Sequence, residues 1–386
     1  MDLTFTDAEE AFRCEARAWL GVNVPATPLA SLDTPGGFAQ HRDWERCLYD
    51  AGYAVVSWPR EYGGRGASLI EWLLFEEEYY AAGAPARVSQ NGIFLLAPTL
   101  LEYGTPEQRA RFLPRMACAD DVWAQAWSEP EAGSDLAALR SHALRDDGGW
   151  RLYGQKTWSS RAAFADWAFG LFRTDPLAKP RHRGLTYFLV PLDAPGVTVR
   201  PIPQLDGEPG FAEIFFDGVH VPDGDVLGAP GDGWRVAMAT TNSERGLTLR
   251  SPGRFLATAD RLLDLYRRCP APALRDSVAR AWVDAQAYRL YTFATAGRVV
   301  GGGALGAAAS LNKLFWSELD VRMHETALRL LGARGALTGA APEAVDAGRW
   351  LDGYLFALAG PIYAGTNEIQ RNVVAQRLLG LPRERR

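Results

Sequence analysis

Lysine is almost missing from this 386-residue chain, where Lys156, Lys179 and Lys313 are the whole supply. Arginine carries nearly all the positive charge, a bias that follows the base composition of a coding sequence and excludes nothing about function. Cysteine is also sparse: Cys14, Cys47, Cys118 and Cys269 stand alone, outside the paired spacing of a zinc site or a thiol redox motif. The five histidines, at 41, 142, 182, 220 and 324, show no HExxH or other ligand spacing, so no metal is expected. No apolar run approaches the roughly 20 residues that span a bilayer. The opening MDLTFTDAEEAF is acidic where a secretory signal is basic, which predicts a cytoplasmic protein without membrane insertion. A basic face is lacking too. The net charge is -5, with arginines interleaved among acids, and this disfavours a nucleic-acid or anionic-membrane partner.

Hydrophobic residues make up 47% of the chain and charged residues 23%, the balance of an ordinary globular protein, and the length predicts two or three domains. Residues 1–121 read as helices. TFTDAEEAFRCEARAWL opens on a capping Thr or Asp and sets Phe12, Ala16, Trp19 and Leu20 along one face. ASLIEWLLFEEEYYAAG is a second helix, and TPEQRARFLPRM begins a third with Pro106 just inside its start, where a missing N–H costs nothing. SWPREYGGRG, between the first two, is a turn-rich loop. From 122 to 228 the pattern changes to short alternating runs such as WRLYGQKTW, LTYFLVPL and AEIFFDGVHVP, which predicts an antiparallel β domain. Long helical patterns never interleave with these strands, so a parallel doubly wound sheet is disfavoured. From 229 to 386 the helical period returns with apolar stripes, as in a four-helix bundle. The fold class is α+β, in the order helix, sheet, helix.

GGGALG at 301–306 satisfies the dinucleotide pattern GxGxxG, with Glu318 and Asp320 downstream, but RLYTFATAGRVV before it is helical where that fingerprint needs a strand. It reads as a helix connection. AQAWSEPEAGSD at 124–135 ends a strand in a turn carrying Ser128, Glu129, Gly133, Ser134 and Asp135, whose hydroxyls and amides suit a heteroaromatic edge or a phosphate. KTWSSRAAFADW at 156–167 puts Trp158, Ser159 and Ser160 at a strand end, where an indole can cover a flat ring. On residue content alone, both also describe a capped turn beside a core tryptophan. PIYAGTNEIQRNVVAQRLLGLPR ends the chain with Gly365 and a capping Thr366 before an amphipathic helix, which is either an anion seat or a plain helix cap. TTNSERGLTLRSPGR at 240–254 sets Glu244 beside Arg245, which by itself is an ordinary surface ion pair.

In this order and at these separations, YGGRG, WSEPEAGSD, LYGQKTWSS, EIFFDGVHVP, the GDGW turn and GTNEIQRNVVAQRLLGLP closely resemble the signatures of the acyl-CoA dehydrogenase family. The likeness runs over nearly the whole chain. It implies an N-terminal helical domain (1–121), a central antiparallel β barrel (122–228) and a C-terminal four-helix bundle (229–386). It also implies FAD as cofactor and an acyl-CoA substrate, with electron-transfer flavoprotein or a similar acceptor as partner. Ser128 and the backbone around Trp127, with Gly133 in the same turn, then hold the pyrimidine side of the flavin. Trp158 lies along the isoalloxazine and Ser160 bonds near its reactive nitrogen. Ser134 contacts the pantetheine or phosphate of coenzyme A, and Thr366 and Glu368 hold the diphosphate and adenosine region. The family builds FAD sites across a subunit contact, so an oligomer is implied.

Two departures from the family pattern sharpen the expectation. Many members carry the catalytic glutamate immediately before the Gly-Thr of the C-terminal motif, where this chain has Ala364, followed by Gly365. In branches acting on branched or long acyl groups the glutamate comes from the helix ending in Glu-Arg, which implies Glu244 as base with Arg245 orienting it. The Ala364 N–H keeps the thioester oxygen as its target. The family's Arg, two residues, then Phe-Gly is replaced by YRRCPAPALRDSVAR. Similar departures occur in actinobacterial-type dehydrogenases that pair two different chains and act on steroid-like acyl groups. A homo-oligomer, or a hetero-oligomer with a second dehydrogenase-like chain, follows. An oxidase or flavin monooxygenase of the same fold, and a non-catalytic subunit, are the competing readings.

Overall fold

The computed structural model describes residues 4–244, 251–303 and 305–382, with the side chains of 242–244 outside the description. Helices α1 (Asp7–Asn23), α2 (Pro35–Asp50), α3 (Leu69–Ala81), α4 (Ala97–Tyr103) and α5 (Pro106–Ala117) come first. Strands β1 (Trp123–Ala126), β2 (His142–Asp146), β3 (Gly149–Ser160) and β4 (Trp167–Arg173) follow, then β5 (Leu185–Pro191), β6 (Val197–Ile202), β7 (Phe211–Pro222) and β8 (Val226–Leu227). Helices α6 (Gly233–Glu244), α7 (Pro252–Arg268), α8 (Arg275–Val300), α9 (Ala309–Leu331), α10 (Arg349–Ala357) and α11 (Asn367–Val373) complete the order. Helix starts are set locally. Thr6, Ser68 and Thr105 each cap a helix reciprocally with Glu9, Glu71 and Gln108, which satisfies amides that have no partner inside the helix.

These elements divide into two compact units. One comprises Pro25–Ala67 and Pro85–Glu244, and therefore holds α2, α4, α5, the sheet and α6. Its sheet runs β6-β7-β3-β2-β4-β5-β8, with β1 paired to β4. The expected antiparallel barrel is corrected on two counts. β1 and β2 both run parallel to β4. The strand path is also open, ending at β6 and β8. The edges explain why it stops: β6 carries Pro201, which has no N–H for another strand, and β8 is two residues long. Phe172, Phe188, Phe216, Ile214 and Val219 form the core on the sheet.

The other unit gathers α1 and α3 with the helices that follow Ser251. α7, α8, α9 and α10 share one core, built on Phe255, Leu262, Tyr288, Trp316, Met323 and Trp350. α3 is drawn into this unit by its own buried acids. Glu78 accepts from Arg13 at 2.6 Å and Arg17 at 2.7 Å on α1, while Glu77 accepts from Arg289 on α8 at 2.5 Å. Carboxylates so deeply buried require such partners. α7 approaches α3 so closely that a Cβ on Gly253 would sit 2.7 Å from the Glu76 carbonyl oxygen. The GGGALG segment follows the end of α8, with no strand before it.

Candidate functional site

In the sheet unit, the two motifs picked out around 128 and 158 lie side by side. The Thr157 amide donates to the Ser128 carbonyl at 2.9 Å, which lays the turn after β1 along β3. Trp127 is buried, its indole edge-on to Phe169 and Tyr187. Ser128 is half-buried, whereas Gly133 and Ser134 are exposed, and a Cβ on Gly133 would meet nothing within 4 Å. That glycine leaves open surface rather than relieving a clash.

β3 loses register with β7 between Lys156 and Ser159, and Trp158 occupies the irregularity at φ +59°. A bulge of this kind re-aims a side chain and leaves a non-glycine residue in a strained conformation. Its indole is 60% exposed, the hydroxyl of Ser159 is buried, and Ser160 is half-buried. Among the described residues neither the Ser159 Oγ nor the Trp127 Nε1 has a hydrogen-bond partner. An open aromatic face beside a turn with free hydroxyls suits a planar heteroaromatic group such as a flavin.

Beneath this surface lies a polar arrangement that motif reading passed over. Lys156 is fully buried and donates to the Glu129 carboxylate at 2.8 Å, the Leu171 carbonyl at 2.7 Å and the Trp127 carbonyl at 3.3 Å. Its ammonium also lies 4.9 Å from the centre of the Phe172 ring. Glu129 accepts in addition from the amides of Arg140 at 2.6 Å and Ser141 at 2.9 Å. Burial pushes the Lys156 amine down to about 8, against the pull of Glu129. For Glu129, burial works upward, but the Lys156 charge and the Arg140 amide outweigh it and hold the carboxyl below its ordinary value. One available signal was scarcity: two of the three lysines, Lys156 and Lys313, are completely buried.

The C-terminal motif lies in the helical unit. Ala364 and Gly365 both take left-handed backbone, at φ +55° and +77°. Gln370, buried on α11, donates its amide to the carbonyls of Ala364 at 2.9 Å and Gly365 at 3.2 Å and so pins the turn. Asn367 ties it further, accepting from Lys313 at 2.7 Å and Ser317 at 3.2 Å. The Ala364 amide donates no hydrogen bond among the described residues. Thr366 caps α11 by accepting from the Ile369 amide at 3.3 Å, and the exposed Glu368 pairs with Arg371 at 3.7 Å. α6 reaches Glu244, but that side chain and all of Arg245 lie outside the described residues. No helix among the described residues is long and apolar enough to cross a membrane.

Comparison with known proteins returns three family models in chain order. The acyl-CoA dehydrogenase N-terminal domain matches residues 6–120, the middle domain 124–219 and the C-terminal domain 231–379. Acyl-CoA dehydrogenase IpdE1 of Mycobacterium tuberculosis is 42% identical over 390 residues, spanning 98% of this chain and 99% of that protein. Among solved structures, the Tcur3481-Tcur3483 steroid ACAD matches with a TM-score of 0.87 at 30% identity, covering 100% of each chain. The ChsE4-ChsE5 complex from Mycobacterium tuberculosis matches with a TM-score of 0.85 at 30% identity, again over 100% of each.

Proposed function

Because the chain belongs to the acyl-CoA dehydrogenase family and is an oxidoreductase of that kind, we propose that it carries FAD and dehydrogenates a bulky, branched or steroid-type acyl-CoA thioester with Glu244 as base. The observation that carries the flavin part is Trp158, an indole held outward by a strained bulge beside the Ser128 turn. Trp127 backbone, Ser128 and Gly133 then take the pyrimidine side, Ser160 the reactive edge and Ser134 the coenzyme A. Thr366 and Glu368 hold the diphosphate and adenosine region. The three-part division at 121/122 and 228/229 belongs to the same reading.

The α-proton of a thioester is weakly acidic, so its removal needs a carboxylate within reach and a donor for the enolate oxygen. Glu244 takes that proton, with Arg245 orienting it. The Ala364 amide, without an intrachain acceptor among the described residues, donates to the thioester oxygen. Gln370 keeps the amide aimed by holding the two carbonyls of its turn. When bound, FAD supplies the acceptor for the β-hydride. The substrate thereby loses one proton and one hydride and gains a Cα–Cβ double bond. Electron-transfer flavoprotein or a similar carrier is the onward acceptor.

The bulky acyl group is supported by Ala364, by the missing Phe-Gly stretch and by a 30% identical relative described as a steroid ACAD. A second, different dehydrogenase-like chain is supported by the ChsE4-ChsE5 complex. The test is anaerobic titration of the purified flavoprotein, alone and co-expressed with neighbouring dehydrogenase-like chains, against a thioester panel. Bleaching of the flavin by steroid-type thioesters is the expected result. Bleaching by short straight-chain thioesters alone overturns the substrate class, and hydrogen peroxide formed rapidly under air favours an oxidase.

A further inference from the structure

The buried ammonium of Lys156 lies beneath the turn that the flavin reading uses. Its three acceptors come from two places in the sheet unit: the Trp127 carbonyl and Glu129 in the turn after β1, and the Leu171 carbonyl in β4. Glu129 in turn collects the amides of Arg140 and Ser141, which lie just before β2. The Trp127 carbonyl and the Trp127–Ser128 peptide belong to one rigid plane, so fixing the oxygen orients the Ser128 N–H on the opposite side. The Ser128 carbonyl is fixed separately by Thr157, next to Lys156 in sequence.

We propose that Lys156 is a positioning residue for flavin binding, setting the orientation of the Ser128 amide through the Trp127 carbonyl, while the Leu171 carbonyl holds the same nitrogen in place independently of Glu129. The proposal rests on the flavin reading given above. It separates two roles that a buried ion pair combines. Glu129 compensates a charge taken out of water, which is a stability role. Lys156 also fixes a peptide plane at the ligand surface, which is a binding role.

Lys156→Met alone strands the Glu129 carboxylate in the interior, so it is a poor test. The double variant Lys156→Met/Glu129→Gln removes both charges at similar volume. Glu129→Gln alone removes the ion pair but leaves Lys156 bonded to the Trp127 and Leu171 carbonyls. Each apoprotein is checked for folding by circular dichroism and titrated with FAD, following flavin fluorescence and the visible spectrum of the bound flavin. Glu129→Gln is expected to bind FAD within about threefold of the parent chain, and the double variant to bind about tenfold more weakly with an altered bound-flavin spectrum. A folded double variant with the parent's Kd and spectrum overturns the proposal. So does a Glu129→Gln variant that loses FAD tenfold, and this arm decides if the double variant does not fold. A parent chain that takes up no FAD, alone or with its partner chain, instead overturns the flavin reading and the proposal with it.

Discussion

The side-chain amide of Gln370 donates to the carbonyl of Ala364 at 2.9 Å, holding a non-glycine residue at φ +55°. Left-handed backbone costs an alanine roughly 1–2 kcal/mol, so the turn persists because its surroundings enforce it. Gln370→Ala removes two hydrogen bonds and leaves a small cavity. Urea melts of this variant are expected to show a loss of about 1–3 kcal/mol. If the Ala364 amide serves the thioester oxygen, kcat also falls while FAD content is maintained, and an unchanged kcat argues against that role.

Glu244→Gln keeps the size of the side chain and removes its basicity. A positioned base contributes about 10²–10⁴-fold, so anaerobic flavin bleaching by the true substrate should slow by about that factor with FAD still bound. Near-parental bleaching would exclude Glu244 as the base.

Trp158 projects an indole that is 60% exposed, so little apolar burial is lost on truncation. Trp158→Ala should therefore change apoprotein stability by less than about 1 kcal/mol. FAD affinity should nevertheless fall by about tenfold, in line with one lost aromatic contact of about 1.5 kcal/mol. Equal FAD affinity in the two proteins would remove Trp158 from the flavin surface.

The Lys156–Glu129 pair makes a signed pH prediction. Burial lowers the Lys156 amine from 10.5 to about 8. Across that window the unfolded chain holds a proton that the folded chain has released, so this group's contribution to stability rises with pH. Below about 8 both states are protonated and the penalty for burying the ammonium is fully present. Glu129 opposes the shift, so Glu129→Gln should extend the rising window to lower pH. Unfolding free energies measured from roughly pH 6 to 9, across the lower edge of the parent window, should show the variant's stability climbing relative to the parent's below pH 8. Parallel curves would mean that the pair is not coupled in this way.

Much of the fold was legible because the signals are local. Capping at Thr6, Ser68 and Thr105 involves residues three apart, and Pro106 marks its helix start by its missing N–H. The order helix, sheet, helix follows from periods of 3.6 and 2 that each segment carries within itself. The motifs around 128 and 158 were also readable as residue types. Their adjacency through Thr157 and Ser128 was not, since hydrogen bonding between strands depends on register.

By itself, the sequence determined the order helix, sheet, helix, the start of the helix at Pro106, and that the C-terminal position expected for a glutamate holds Ala364. Tertiary structure decided the rest. α1 and α3 left their sequence neighbours because buried Glu77 and Glu78 needed arginines that lie on α1 and α8. The sheet stayed open because its last strands cannot offer a continuing ladder. Lys156 gained its place under Trp127 and Glu129 only when β3 lay beside the turn after β1. A buried charge finds its partner through the packing of distant segments, and no local pattern in the chain encodes that meeting.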